Sequence, residues 1–251
     1  MNIIQDPWFY AAAVPAVMLM GLGKSGFGGG LGGLAVPLMA LSISVPQAAA
    51  IMMPLLLVAD VMGLRVFRHD YDKRLLRFML PFGLMGTIIG MLLFKLLPAK
   101  AVAGCVGAFT LLFLAQQIFS HPKAGAPARA PLPRWLGAIL ITTSGFTSFI
   151  AHAGGPPINA YALRLKLVPL VFAATLSYFF FFINLSKWLP YAYLGLLDLR
   201  NFWTSLVLIP FVGFGVWLGQ RIAKRVNTVM FYRLIYLGMF LSGSKLLWDA
   251  F

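Results

Sequence analysis

The sequence predicts an all-α, polytopic membrane protein made of two homologous, inverted-topology repeats, with broken or re-entrant helices meeting near the midplane. Three observations carry that expectation. The 251-residue chain is 61% hydrophobic and 10% charged, whereas soluble domains run near 25% charged and below 50% apolar. Its 20 Lys and Arg stand against six Asp and no Glu, a net charge of +14, and the basic residues gather in short clusters between apolar runs. Third, the two halves of the chain repeat each other's glycines, prolines and polar residues in the same order.

About 20 apolar residues cross a bilayer core as a helix. The first apolar region, 8–41, is too long for one helix and is interrupted by Gly26, Gly28, Gly29, Gly30, Gly32 and Gly33, then by Pro37. No basic segment with a small-residue cleavage site precedes it, so 8–23 is expected to remain in the mature protein. Continuous spans follow at 46–67, 75–97 and 101–119. Residues 123–131 are too polar and proline-rich to span anything. Region 135–163 is again long but interrupted, by 144–148 and then by His152, Gly154, Gly155, Pro156 and Pro157. Further spans are expected at 168–193, 202–222 and 230–247. Such interruptions free backbone groups that lipid cannot satisfy, so both broken regions should be buried or line a wet cavity.

The internal similarity sets the domain organisation. Pro81, Phe82, Gly86 and Gly90 recur 129 residues later as Pro210, Phe211, Gly215 and Gly219. Asp72 recurs as Asp198, Asp60 has its counterpart in Asn184, and Ser25-Gly26-Phe27 recurs as Ser144-Gly145-Phe146. Residues 1–122 and 132–251 therefore read as two transmembrane repeats joined by the linker 123–131. The loop from Arg65 to Arg77 carries five basic residues while its counterpart carries Arg200, and the loop at 42–47 carries none while its counterpart carries Arg164 and Lys166. Cytoplasmic loops are the basic ones, so corresponding loops fall on opposite sides. That arrangement requires each half to cross an odd number of times, and the preferred count is three full crossings per half plus a broken pair that is re-entrant or crosses twice. If each broken region crosses once, the halves are parallel and the crossings number eight.

Basic clusters between apolar runs fit an anionic leaflet rather than nucleic acid. Cys105 is the sole cysteine, so no disulfide framework or thiolate cluster is available within one chain. The expected location is a bacterial inner membrane, with lipid as partner; homo-oligomerisation is left open.

With the two breaks and their repeat in view, the chain resembles the sulfite exporter TauE/SafE family. The residues that carry the resemblance are 21–30, with Lys24, Ser25 and their glycines, then Pro37, and 144–157 in the second half, together with the duplicated Pro-x4-Gly-x3-Gly helix. The resemblance covers essentially the whole chain. It implies a secondary transporter, chiefly an exporter, of sulfite or small organosulfur and carboxylate anions, with no enzyme activity, cofactor or metal.

The breaks supply the chemistry. A broken helix presents free N–H groups and the positive end of its dipole, and glycines let an anion approach them. The expected substrate-binding residues are Lys24, Ser25, Gly26, Gly28, Gly29 and Gly30 in the first half, and Ser144, Gly145, Thr147, Ser148, His152, Gly154, Gly155 and Asn159 in the second. The bland alternative is that the glycines only let helices pack closely. Lys24 either faces the solute or snorkels to the interface. Asp60 is the acid well inside an apolar run, expected to carry a coupling proton unless it pairs with Arg65 or Arg68. His152 either titrates near neutrality or donates to a freed carbonyl. A passive anion channel is one alternative function; an intramembrane hydrolase using Ser25 and His152 is another. Gly21-Leu-Gly-Lys-Ser25 resembles the end of a nucleotide-binding loop but lacks the first glycine, which falls at Met18.

Overall fold

A computed structural model describes residues 3–26, 35–39, 41–67, 69–94, 96–119, 132–195, 198–225, 227–248 and 250. The described residues are all-helical, with no strand among them. The helices are α1 (Pro7–Gly26), α2 (Ala35–Met39), α3 (Val45–Val66), α4 (Lys73–Leu93), α5 (Ala99–Phe119), α6 (Arg134–Ala151), α7 (Gly155–Ala162), α8 (Pro169–Tyr193), α9 (Leu199–Arg225) and α10 (Thr228–Trp248). A 3₁₀ turn, Leu163–Leu165, follows α7. The continuous spans expected from the sequence are α3, α4, α5, α8, α9 and α10. Of these, α3, α4, α8 and α9 are long and apolar enough to cross a membrane by length and composition.

Local chemistry sets the helix starts. The Asp72 carboxylate accepts from the amides of Arg74 and Leu75, both at 2.9 Å, and Asp198 accepts from the Arg200 amide at 3.1 Å. These two acids are capping residues, the usual partners of otherwise orphaned first-turn amides. Ser44 caps α3, and proline occupies the first turn of both α3 and α8, where its missing N–H costs nothing.

The ends of the helices gather at two poles. At one, the Ile4 amide donates to Thr204 of α9, Ser42 donates to the Trp8 carbonyl, and Gln47 of α3 donates to Asn201 of α9. Helices α1, α3 and α9 therefore begin together. At the other pole, Asp72 before α4, Arg134 of α6 and Leu167 before α8 line one cavity, and the Asp72 amide donates to Thr175 of α8. Helices α4, α6 and α8 begin there. Helix α3, 22 residues long and so about 33 Å at 1.5 Å per residue, runs from the first pole toward the second.

Each broken region enters and leaves at one pole. Trp8 and Ser42 meet at the first, and Arg134 and Leu165 meet at the second. The second break lies later than the sequence suggested. Residues 144–148 sit inside the continuous helix α6, and the chain turns only at His152, in the left-handed conformation with φ 50°.

Two helix crossings depend on glycine. A Cβ on Gly86 would stand 1.9 Å from the Thr142 carbonyl oxygen, and one on Gly145 would stand 2.0 Å from that of Gly83, so α4 and α6 touch backbone to backbone. Likewise a Cβ on Gly215 would stand 2.3 Å from the Met18 carbonyl oxygen and one on Gly21 2.7 Å from that of Val212, at the α1–α9 crossing. Small residues at helix contacts are how membrane bundles gain dispersion energy without a hydrophobic driving force. The main helix pairings recur when each of α1–α5 is exchanged with the helix five places on: α1 lies along α9 as α6 lies along α4, α3 packs on α9 as α8 packs on α4, and α3–α8 and α5–α10 map onto themselves, while lesser contacts such as α5–α6 have no counterpart of similar extent.

Candidate functional site

Helices α3 and α8 cross at the centre, and each brings a polar residue there. Asp60 is fifteen residues into α3 and Asn184 fifteen residues into α8, about 23 Å from their respective starts. Those starts lie at opposite poles, so the pair sits at mid-depth. The Asn184 amide donates to Asp60 Oδ2 at 2.6 Å. Asp60 Oδ1 is held by the Lys24 ammonium at 2.5 Å, with Asp60 2% exposed. Arg68, one of the two arginines expected as partners of Asp60, lies outside the described residues; the partner seen is Lys24, not Arg65. Its ammonium also lies 5.4 Å from the centre of the Phe180 ring, within cation–π range. The Lys24 carbonyl accepts from Ser177 at 3.2 Å, which ties the end of α1 to α8.

The chain of contacts continues into the second half. Lys187 is fully buried and donates to Asn184 Oδ1 at 2.9 Å, to the Ser148 carbonyl at 2.8 Å and to Ser148 Oγ at 2.7 Å. Three acceptors match the three N–H bonds of an ammonium. The sequence of contacts Lys24–Asp60–Asn184–Lys187–Ser148 thus links α1, α3, α8 and α6. Two buried lysines thus share a network that holds one carboxylate, Asp60, among the described residues.

A hollow of about 20 Å³ opens beside this chain, lined by Lys24, Ser148, His152, Gly155 and Asn184, with Leu56 and Phe180 as its apolar walls. That volume holds one water and is too small for a four-atom oxyanion.

The structure brings five of the sequence-predicted residues to the hollow or its ion pair: Lys24, Asp60, Ser148, His152 and Gly155. Ser144 and Thr147 instead hold the break together. Ser144 donates to the Gly154 carbonyl at 2.6 Å, and Thr147 Oγ1 lies 2.8 Å from the Thr143 carbonyl and 3.1 Å from that of Ala153. Gly145 lies in the α4–α6 contact and Gly154 against Ser144 and Ser148. The His152 Nε2 is 3.4 Å from the Tyr191 hydroxyl, which donates to the Phe149 carbonyl at 2.8 Å. Asn159, on α7, is fully buried with neither amide heteroatom hydrogen-bonded. Gly26 ends α1; the Ser25 side chain and Gly28, Gly29 and Gly30 lie outside the described residues. The second break offers fewer free amides than expected, because Pro156 and Pro157 in the first turn of α7 carry no N–H.

Lys187 is the functional candidate that sequence reasoning left out of the site. Its signal was its spacing: three residues after Asn184, it shares that residue's helix face.

An all-helical apolar bundle with helices long enough to cross a membrane and a buried polar chain at its centre is the build of a multi-pass membrane protein. The family model described as "Sulfite exporter TauE/SafE" matches residues 13–246. The chain belongs to this family, and membership implies a membrane transporter of sulfite or related anions. No curated protein and no solved structure matches the chain.

Proposed function

We propose that the protein is a secondary transporter that binds a small anion between Lys24 and Lys187 and couples its movement to protonation of Asp60. The observation that carries this reading is the gathering of two buried lysines, Lys24 and Lys187, with a single carboxylate, Lys24 lining the hollow and Lys187 bonded to its Ser148 and Asn184. Charging both lysines against one buried carboxylate is costly, and an incoming anion is the solute that relieves it. The chain contains only six Asp and no Glu, and Asp60 is the acid in this network.

An anion that draws Lys24 toward itself leaves the Asp60 carboxylate held only by Asn184. A proton taken up by Asp60 then neutralises it, so solute and proton travel together. The reading is further supported by the exchange symmetry of the helix pairs. Corresponding helices begin at opposite poles, as two inverted repeats would, and broken helices meeting at mid-depth are the usual seat of a site in such transporters. The pole at which α4, α6 and α8 begin is rich in Arg and Lys, which makes it cytoplasmic. A hollow no larger than a water implies that one repeat must move to admit sulfite, and export runs from the basic pole outward.

The test is sulfite flux into and out of proteoliposomes across a range of imposed pH gradients. Wild type should show flux that rises with the gradient. Lys187→Met should lose most of the flux, and Asp60→Asn should retain part of it without pH dependence. Identical flux in Lys187→Met and wild type would sink the anion site. Unchanged pH dependence in Asp60→Asn would sink the coupling alone.

A further inference from the structure

A second and larger cavity, of about 470 Å³, opens at the pole where α4, α6 and α8 begin. Two arginines line it, Arg74 in the first turn of α4 and Arg134 at the start of α6. Both are exposed, and neither makes an ion pair among the described residues. The acid on the rim, Asp72, directs its Oδ1 to the amides of Arg74 and Leu75. Cations in the first turn oppose the helix dipole, so helix stability gives no reason for these two arginines. Together with the helix starts they form a positive concavity.

The rest of the lining is apolar. Leu75 and Phe78 of α4 face Leu165 and Leu167 from the exit of the second broken region. Tyr161 forms the floor. It is buried, its ring centre is 6.3 Å from that of Phe78, and it seats against α6 because Gly137 has no Cβ, which would otherwise stand 2.5 Å from the ring. A small hydrophilic anion needs no such wall. A molecule with a phosphate at one end and a hydrocarbon chain at the other uses both parts.

We propose that this cavity binds an anionic phospholipid, its phosphate held by Arg74 and Arg134 and one acyl chain lying along Phe78, Leu165 and Leu167. The site is independent of the anion hollow and of the transport reading. It bridges α4, α6 and the returning chain after α7, so its lipid fastens the exit of the broken region to the α4–α6 pair.

The experiment titrates the purified full-length protein in neutral detergent with phosphatidylglycerol, with phosphatidylcholine of the same acyl chains, and with glycerol 3-phosphate, reading Tm. Phosphatidylglycerol should raise Tm, while the other two leave it unmoved. Arg74→Gln combined with Arg134→Gln should weaken the response roughly thirtyfold in lipid concentration, about fivefold for each basic side chain. Arg225→Gln, at the same pole but outside the cavity, should respond as wild type. An equal response to phosphatidylcholine would reduce the site to an apolar groove. An equal response to glycerol 3-phosphate would make it a soluble phosphate-ester site, and a full response in the double variant would remove the arginines from it. Wild-type binding of phosphatidylglycerol should also weaken as salt is raised from 0.05 to about 0.5 M; affinity independent of salt overturns the proposal without any substitution.

Discussion

Asp60 spends one oxygen on the Lys24 ammonium and the other on the Asn184 amide, so each single substitution in this chain strands a buried partner. Removing one member of a buried ion pair costs about 3–5 kcal/mol, whereas replacing both by apolar groups is often neutral. Asp60→Leu is therefore expected to lower the unfolding free energy by about 3 kcal/mol or more, and Lys24→Met with Asp60→Leu to recover most of it. A double-mutant cycle read by denaturation in detergent checks this; additive losses would mean the pair is not coupled. Asn159 poses the opposite case. Its buried amide has no hydrogen-bond partner, a cost of about 1–3 kcal/mol. Asn159→Leu is expected to raise Tm while reducing flux, the signature of a polar group kept for function rather than stability. A lower Tm with normal flux would make it structural.

At the scale of helices, the repeated Pro-x4-Gly-x3-Gly pattern resolves into contact surfaces. Gly86 and Gly215 occupy corresponding positions in α4 and α9, and each admits the backbone of a helix from the other half. Gly86→Leu would place a side chain where only the Thr142 carbonyl fits, and overpacking of this kind costs about 1–3 kcal/mol, or more where backbone must move. The expected result is a fall in Tm of several degrees with loss of transport. Gly195, whose added Cβ would meet nothing within 4 Å, has no such contact to lose, although its φ of 69° makes it a poor control for alanine. Gly213, with a nearest approach of 3.6 Å, is the better one, and Gly213→Ala should leave Tm nearly unchanged. The break after α6 is built differently: it closes on a left-handed His152 and on hydrogen bonds from Ser144 and Thr147.

For the whole molecule, the arrangement of helix ends makes a topological expectation. Ser42 lies at the pole where α1, α3 and α9 begin, and Lys166 follows the 3₁₀ turn at the opposite pole. Cys105 is the only cysteine, so a Cys105→Ser background reports single introduced thiols. Ser42→Cys should react with an impermeant maleimide from outside intact cells, and Lys166→Cys only after the cytoplasmic side is opened. Labelling of both from one side would overturn the placement of the broken regions as returning to the pole they left. The basic pole and the lipid cavity belong to this scale too, since charge near an anionic leaflet fixes orientation.

Composition and hydropathy were enough to place six of the long helices, because a lipid-spanning helix must satisfy its backbone internally and be apolar along its length. The spacing of Asp72 and Asp198, of Gly86 and Gly215, and of Asp60 and Asn184 made the internal similarity legible before any coordinate was known. What these residues touch was not. Asp60 pairs with Lys24, thirty-six residues away, and not with Arg65 just after it in the chain, because the end of α1 comes to lie beside α3 while Arg65 is exposed near the end of that helix. Lys187 becomes part of the site only when α8 crosses α3 and Ser148 arrives from α6. Gly145 and Ser144, expected as solute ligands, lie in the α4–α6 contact and on the Gly154 carbonyl, neighbours that only the fold supplies. Local sequence fixes which stretches become helices, since that depends on hydrogen bonds between near neighbours. Which buried charge meets which partner depends on the crossing of helices distant in the chain, and only the folded bundle decides it.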